Sequence, residues 1–326
     1  MGLQALASAT ATVLTLTLVP LSATAQQTAV PRTPWGAPDL QGVWDFRSLT
    51  PMERPDALDG QEVFTAEQAA EFSADTIRRR SRDSDTSDRA ARVAQGDIIP
   101  YNDFWFDEGT TVTTTRTSLV VDPPNGRIPS LTPEAERARA ARREARRGVG
   151  PDEPPIGGWV EDLGDGVRCT RGFNAGPPMR PSAYNNNMQL FQSPGYVVIV
   201  NEMIHDARVV ALDGRARPSQ EIHLWAGSSR GRWDGDTLVV ETTNLRSGAF
   251  RGSTETLRVI ERFTRIETDM LTYEVTVADP ATWTRPWVFS VPMAKNDAEL
   301  YEYACHEGNY GLYNILSAVG GAAPAR

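Results

Sequence analysis

The glutamate at position 261 is the side chain whose setting most clearly predicts chemistry. Side chains alternate between the two faces of a strand, which places Glu261 on the same face as Val259 and Phe263. If that apolar face is the interior, the carboxylate must pair with a cation, bind a ligand or titrate at a raised pKa. Two interpretations stay open, an interior ion pair with an arginine and a general acid or base.

An acid, an imidazole and a guanidinium follow the end of an apolar run. The run covers residues 196–201, and the three side chains after it are Glu202, His205 and Arg208. Such a group can bind an anionic oxygen through Arg208 and move a proton through His205. The alternative is a hydrogen-bonded turn at the rim of the sheet.

A third cluster lies near the C-terminus, where residues 302–310 are polar and aromatic. His306 with Glu307 is a second acid–base candidate. Tyr303 and Asn309 are candidate ligand contacts. Functional residues are often found in loops that a rigid scaffold holds in place. The alternative is that this C-terminal segment, anchored by a disulfide, only closes the barrel.

The two cysteines of the chain are far apart in sequence. In an exported protein, one disulfide between Cys169 and Cys305 is the simplest interpretation. It would tie the middle of the chain to its C-terminal part. The alternative is a nucleophilic cysteine beside His306.

Metal and cofactor motifs are missing from the sequence. The three histidines, at positions 205, 223 and 306, do not have the spacing of a zinc motif, so we expect no metal site. We find no nucleophile elbow, phosphate-binding loop, dinucleotide fingerprint or haem attachment motif. We therefore expect chemistry without a cofactor.

Large aromatic side chains recur along the β-rich part of the chain, and we expect some of them to line a cavity. The candidates are Trp44, Phe191, Tyr273, Trp283 and Trp287. Each is alternatively an ordinary core residue, because aromatic side chains bury a large apolar area.

Short β runs separated by turn signals dominate the chain from residue 188 onward. The predicted strands cover residues 188–193, 196–203, 207–212, 221–227, 236–243, 255–264, 269–278, 287–292 and 299–304. Two more are predicted near residue 43 and over 111–121, which makes about eleven. No helix long enough for a parallel crossover separates them. We therefore expect a mainly β fold, an antiparallel meander that closes into a lipocalin-like (calycin-like) barrel or a strongly curved sheet.

Two polar helices are predicted before this β-rich part. The first covers residues 65–95, and Thr65 with Gln68 fits a capping box at its start. The second covers residues 134–147 and follows a good N-cap at Thr132. Neither has an apolar stripe, so we expect both on the surface.

The first 25 residues carry no charged side chain and contain an apolar run that ends in small residues, as in a signal peptide. The run is shorter than the roughly 20 residues that span a bilayer. We predict a signal peptide over 1–25, an extended lead-in over 26–40 and one β-barrel domain over 41–326. A helical and loop insertion is expected at about 50–183. The mature protein would be periplasmic or extracellular.

The overall charge limits the partners. A net charge of −9 disfavours nucleic acid and anionic membrane, and an apolar content of 40% is enough for a core. We expect a small organic molecule as the partner and no membrane span. The oligomeric state does not follow from the sequence.

Four phrases of the sequence carry a resemblance. They are PDLQGVW at 38–44, TSLVVDPP at 117–124, GRWDGDTLVV at 231–240 and YACHEGNY at 303–310. They resemble a large uncharacterised family of secreted bacterial proteins. The resemblance implies export and carries no established reaction. The pair of Gly42 and Trp44 also resembles the lipocalin signature.

Three functions follow as hypotheses. The leading one is an exported β-barrel enzyme that performs cofactor-free acid–base chemistry, as a lyase, isomerase or hydrolase, on a small organic molecule. A non-catalytic carrier of an apolar or aromatic ligand is the alternative, and an envelope-associated structural protein is the third. Convergent histidine, glutamate and arginine side chains would favour the enzyme, and an aliphatic and aromatic cavity wall would favour the carrier.

Overall fold

A computed structural model describes residues 30–81, 102–147, 160 and 163–320 of the 326-residue chain. The predicted signal peptide therefore lies outside the described residues. Ten strands are described: β1 (Gly42–Asp45), β2 (Val120–Asp122), β3 (Asn187–Ser193), β4 (Tyr196–Asn201), β5 (Ala207–Ala211), β6 (Ser228–Asp234), β7 (Thr237–Thr243), β8 (Arg258–Arg265), β9 (Met270–Ala278) and β10 (Trp287–Asn296).

Nine of these strands close into a barrel. They follow the order β1-β3-β4-β5-β6-β7-β8-β9-β10, and β1 pairs back onto β10 through Val43 and Asn296. The remaining strand, β2, pairs with the other end of β10 through Val120 and Phe289. The predicted mainly β, lipocalin-like barrel is confirmed. Closure gives each of the nine strands a neighbour on both sides.

One pair of neighbouring strands departs from the predicted antiparallel meander. β5 and β6 run parallel and share a single register pair, Ala211 with Arg230. A parallel pair needs a long crossover, and residues 212–227 supply it without a helix. The prediction of a purely antiparallel sheet is therefore wrong at this seam.

The interior of the barrel follows the alternation that the sequence predicts. Along β8, residues 259, 261, 263 and 265 are buried, and the residues between them are more exposed. Side chains from most of the barrel strands form one apolar cluster, whose large members include Trp44, Trp287, Tyr273, Phe263 and Phe289. Burial of this apolar area is the main contribution to the stability of the fold.

The strand predicted over 221–227 is wrong, and the strand β6 that follows it was missed. The apolar residues Ile222, Leu224 and Trp225 suggested a strand, but all three are exposed in an irregular loop. β6 has no apolar alternation to reveal it. It fits because Gly231 lacks a side chain, since a Cβ there would lie 2.6 Å from Leu212 and 2.8 Å from Val210.

Two other predicted strands are absent or shortened within the described residues. Residues 299–304 form no strand, and the predicted strand over 111–121 is reduced to β2 and an isolated bridge at Arg116. Residues 111–119 lie in an irregular loop that hydrogen-bonds to a neighbouring segment, where the Thr117 N–H donates to the Glu62 carbonyl at 3.0 Å. The described parts of the chain thus form ten strands, where the sequence predicted about eleven.

Three α-helices are described: α1 (Ala66–Arg80), α2 (Pro133–Ala145) and α3 (Tyr310–Gly320). The capping box at Thr65 and Gln68 and the N-cap at Thr132 are confirmed. α1 ends at Arg80 with Ser81 as its C-cap, so the helix predicted over 65–95 is interrupted there, and residues 82–95 lie outside the described residues. The helix α3 was not predicted. One-turn 3-10 helices cover Asp56–Leu58, Asp103–Trp105 and Met203–His205. Within the described parts, no helix is long and apolar enough to cross a membrane.

A buried stretch of the insertion, here called the plug segment (residues 174–179), contacts the barrel core. All six of its residues are buried, and Met179 belongs to the main apolar cluster. Ala175 packs against Met203 and Ile204 in the connection between β4 and β5. By strand direction, the connection between β7 and β8 lies at the same end. The insertion between β1 and β3 therefore covers one end of the barrel.

Candidate functional site

Glu261 lies inside the barrel and pairs with an arginine from across it. The Arg208 guanidinium donates two hydrogen bonds to the carboxylate, at 2.6 and 2.9 Å. Both side chains are buried. Strands β6 and β7 separate β5 from β8 in the sheet, so the pair spans the interior rather than joining neighbouring strands. The interior ion pair is the arrangement observed for Glu261.

Tyr273 on β9 extends this pair to the plug segment. Its hydroxyl donates to Glu261 Oε1 at 2.7 Å and accepts the backbone N–H of Met179 at 3.0 Å. Burial first, and the neighbouring carboxylate second, raise the pKa of Tyr273 well above its ordinary value. The phenol therefore remains a donor to Glu261 across the physiological pH range.

The ion pair keeps Arg208 charged despite its burial. Burial lowers the pKa of Arg208, but the attraction and hydrogen bonds of Glu261 outweigh it and the pKa is raised. Three hydrogen bonds from two neighbours then satisfy the Glu261 carboxylate. We call Arg208, Glu261 and Tyr273 the buried network. Its geometry serves to hold the plug segment.

Asn201 is a buried polar residue that the sequence analysis missed. It occupies an inward position of β4, in phase with Val197 and Ile199, and is 1% exposed. Neither atom of its amide hydrogen-bonds to a described residue, and the same holds for Arg208 Nε. A polar residue in phase with an apolar strand face was the available signal. Such groups in protein interiors commonly bind an ordered water.

The structure does not bring the predicted proton carriers to one described site. His306 and Glu307 are exposed, whereas Glu261 is fully buried. The side chain of His205 lies outside the described part of the structure. Glu202 accepts hydrogen bonds from the backbone and side chain of Asn187, at 3.2 and 2.8 Å, beside the β4–β5 connection.

The predicted ligand contacts are distributed over three environments. Trp44, Tyr273, Trp283 and Trp287 are buried in the main core. Phe191 points outward from β3 and is 46% exposed. Tyr303 packs against the cluster of Ala175, Met203 and Ile204, and Asn309 donates to the carbonyl of Val167 at 3.2 Å. These residues do not line one common cavity among the described clefts.

The predicted disulfide is present. Cys169 and Cys305 are bonded, with Cα atoms 5.6 Å apart and a sequence separation of 136 residues. The bridge joins the loop before the plug segment to the segment before α3. It leaves neither thiol for nucleophilic chemistry.

A cleft of about 360 Å³, here called the plug cleft, lies between the plug segment and the β7–β8 connection. Its wall includes Arg171, Pro177, Pro178 and Phe250. Arg171 is buried and donates to the carbonyls of Trp225 and Gly176, which fixes one side of the cleft. Burial lowers the pKa of Arg171 in spite of the attraction of Asp206.

A second cleft, of about 730 Å³, contains a histidine and is here called the histidine cleft. His223 lies with Nδ1 3.3 Å from the Leu245 carbonyl and Nε2 3.4 Å from Glu255. Arg217 and Arg258 line the same cleft. From the sequence, His223 was a candidate only as a metal ligand. An exposed loop position gave no signal for this placement.

Comparisons with known proteins add no family. Neither a scan against protein-family models nor a search of curated protein sequences returned a match. Within the described residues, no group of three or more His, Cys, Asp or Glu side chains is placed to hold a metal ion.

Proposed function

We propose that this protein is an exported β-barrel binding protein whose ligand is a small organic molecule held in the plug cleft. The observation that carries the proposal is the fixed framework of this cleft. Tyr273 holds the plug segment from below through Met179, and Arg171 holds it from the side through the Gly176 carbonyl. A site held by buried hydrogen bonds loses little freedom when a ligand binds.

The location at one end of the barrel follows from the packed interior. The inward side chains form a continuous apolar cluster, and the Arg208–Glu261 pair crosses the space that a lipocalin-like carrier would use. The plug cleft has the volume of a small-molecule site and combines apolar and charged walls. We therefore keep the carrier hypothesis but place the ligand in the plug cleft, outside the barrel interior.

Export is part of the proposal. The uncharged apolar leader over residues 1–25 supports it, and so does the disulfide between Cys169 and Cys305. Disulfides persist in oxidising compartments such as the periplasm. The resemblance to secreted bacterial proteins points the same way.

The test uses two small aromatic probes, benzoate and benzamide, measured by calorimetry at millimolar concentrations. At least one probe should bind the native protein. Ala249→Phe places a ring in the plug cleft and should abolish that binding, while Ala294→Phe, outside this cleft, should not. Absence of binding by both probes, or equal binding to the Ala249→Phe variant, would contradict the proposal.

Acid–base catalysis remains a second candidate because of the histidine cleft. There His223 Nε2 would take a proton from water as the water oxygen attacks an ester carbonyl. When the tetrahedral species collapses, the bond between the carbonyl carbon and the alcohol oxygen breaks. The alcohol oxygen takes the proton from His223, and the carboxylic acid is the other product. Turnover of p-nitrophenyl acetate should fall about tenfold or more in His223→Gln and stay unchanged in His306→Gln. Equal rates in both variants would remove this candidate.

A further inference from the structure

Two arginines face the plug cleft besides Arg171. Arg180 follows the plug segment directly, and Arg251 lies in the β7–β8 connection. Both side chains also line the neighbouring cleft formed with residues 48–52 and 180–183. The two guanidinium groups therefore share one wall.

Among the described residues, neither Arg180 nor Arg251 forms an ion pair with a carboxylate. Asp165 on the wall of the plug cleft pairs with Arg168 at 3.0 Å and Arg246 at 3.7 Å, and Glu108 on the wall of the neighbouring cleft pairs with Arg80. Burial lowers the pKa of Arg180, and repulsion from Arg251 lowers it further. Two like charges held together in a partly buried cleft are unfavourable without an anion.

Arg251 also occupies an unusual backbone conformation. Its φ is 50° and that of Gly252 is 80°, in a turn that the Ser253 N–H closes onto the Phe250 carbonyl at 2.9 Å. Such turns favour glycine, asparagine or aspartate, and another residue there costs about 1 kcal/mol. Strained positions of this kind concentrate at functional sites. The turn itself therefore does not explain an arginine at this position.

Apolar side chains contribute to the rest of the cleft wall. Pro177 and Pro178 from the plug segment and Phe250 from the β7–β8 connection supply rigid hydrocarbon surface. Phe173 adds a partly exposed ring. A ligand that fits this wall has an apolar body as well as a charged group.

We propose that the ligand of the plug cleft is a small organic acid, whose carboxylate is bound by Arg180 and Arg251 and whose apolar body contacts Phe250 and the two prolines. The inference rests on the proposed function and adds the chemical class of the ligand. Planar guanidinium groups match a carboxylate with paired hydrogen bonds. The carboxylate also removes the repulsion between the two arginines.

Benzoate and benzamide separate the charge from the ring, because they share a similar body. Benzoate should bind the native protein at least about tenfold more tightly than benzamide. Arg180→Gln should remove most of this difference. Arg262→Gln deletes an equal charge on an outward position of β8, where it pairs with Asp234, and should leave the affinity for benzoate unchanged.

Arg251→Gly separates binding from stability. Glycine suits the positive φ, so this variant should melt at the native temperature or higher. It should nevertheless bind benzoate about tenfold more weakly. Unchanged benzoate affinity in both Arg180→Gln and Arg251→Gly would overturn the assignment.

The outcomes distinguish the ligand class from the site. If benzoate and benzamide bind with equal affinity and Ala249→Phe blocks both, the assignment of an organic acid as the ligand is overturned. The proposed binding function would then remain intact. If inorganic phosphate binds as tightly as benzoate, the assignment of an organic molecule as the ligand is overturned. If neither benzoate nor benzamide binds, both proposals are overturned.

Discussion

Arg208 and Glu261 meet across the barrel through two hydrogen bonds of 2.6 and 2.9 Å, although two strands separate them in the sheet. A buried ion pair is costly to form and costlier to break, because removal of one partner leaves a charge without compensation. The pair supports Tyr273, and Tyr273 holds Met179 of the plug segment. The predicted site residue Glu261 thus connects the core to the cleft.

Breaking one half of the pair should destabilise the protein strongly. We expect Glu261→Gln and Arg208→Met each to lower the free energy of unfolding by about 3–5 kcal/mol. The double variant Arg208→Met with Glu261→Gln should cost less than the sum of the two single substitutions, because neither charge remains. Urea unfolding of the four proteins measures the coupling.

An exposed pair provides the control for this cycle. Arg262 and Asp234 lie 2.9 Å apart on the outside of the barrel. Their single substitutions, Arg262→Gln and Asp234→Asn, should each change stability by less than about 1 kcal/mol. Additive costs at Arg208 and Glu261 would mean that the two side chains do not interact.

Removal of one hydroxyl should loosen the plug segment. Tyr273→Phe leaves the Met179 N–H without its acceptor and should cost about 1–3 kcal/mol. Amide exchange over residues 174–179 should become faster. Tyr196→Phe removes an exposed hydroxyl that contacts Arg215 and is the matched control. Unchanged exchange in Tyr273→Phe would show that the hydroxyl does not hold the plug segment.

The disulfide should contribute measurably to stability. It closes a loop of 136 residues in sequence separation. In the chain-entropy model, a loop of that length contributes up to about 4–5 kcal/mol. We expect Cys169→Ser with Cys305→Ser, or reduction of the native protein, to lower the melting temperature. Equal melting temperatures with and without reductant would contradict a structural role.

Asp279 should make stability depend on pH in the acid range. Burial opposes ionisation, but hydrogen bonds from Thr254, Thr282 and Thr256 outweigh it and hold the pKa of Asp279 below its ordinary 3.8. The unfolded state therefore binds this proton more tightly. The stabilisation is complete above about pH 4 and is lost as the pH falls through the folded pKa.

The experiment compares urea unfolding of native protein and Asp279→Asn at neutral and acid pH. The variant should be less stable at neutral pH by about 1–3 kcal/mol and should lose less stability on acidification. Glu299→Gln, at an exposed position, serves as the control. Parallel pH profiles for native protein and Asp279→Asn would contradict the assignment.

Local periodicity was sufficient to predict part of this structure. Alternation along residues 257–263 placed Glu261 in the interior, and turn chemistry located most of the hairpins. Both signals depend only on neighbouring residues. The capping chemistry at Thr65 and Thr132 was equally local and was also confirmed.

Long-range arrangements could not be predicted in the same way. β6 is polar in sequence and depends on the close approach of Val210 to Gly231. The choice of Arg208 as partner for Glu261 depends on barrel closure, which brings β5 opposite β8. The plug cleft joins residues more than 70 positions apart, such as Arg180 and Arg251. A local periodic pattern does not predict that residues so far apart in sequence lie close together.

The most direct test of the proposed site is the position of benzoate in a crystal of its complex with the native protein. We expect the carboxylate between Arg180 and Arg251, the ring against Phe250 and the Arg208–Glu261 pair intact. Benzoate inside the barrel beside Glu261, or in the histidine cleft, would contradict it.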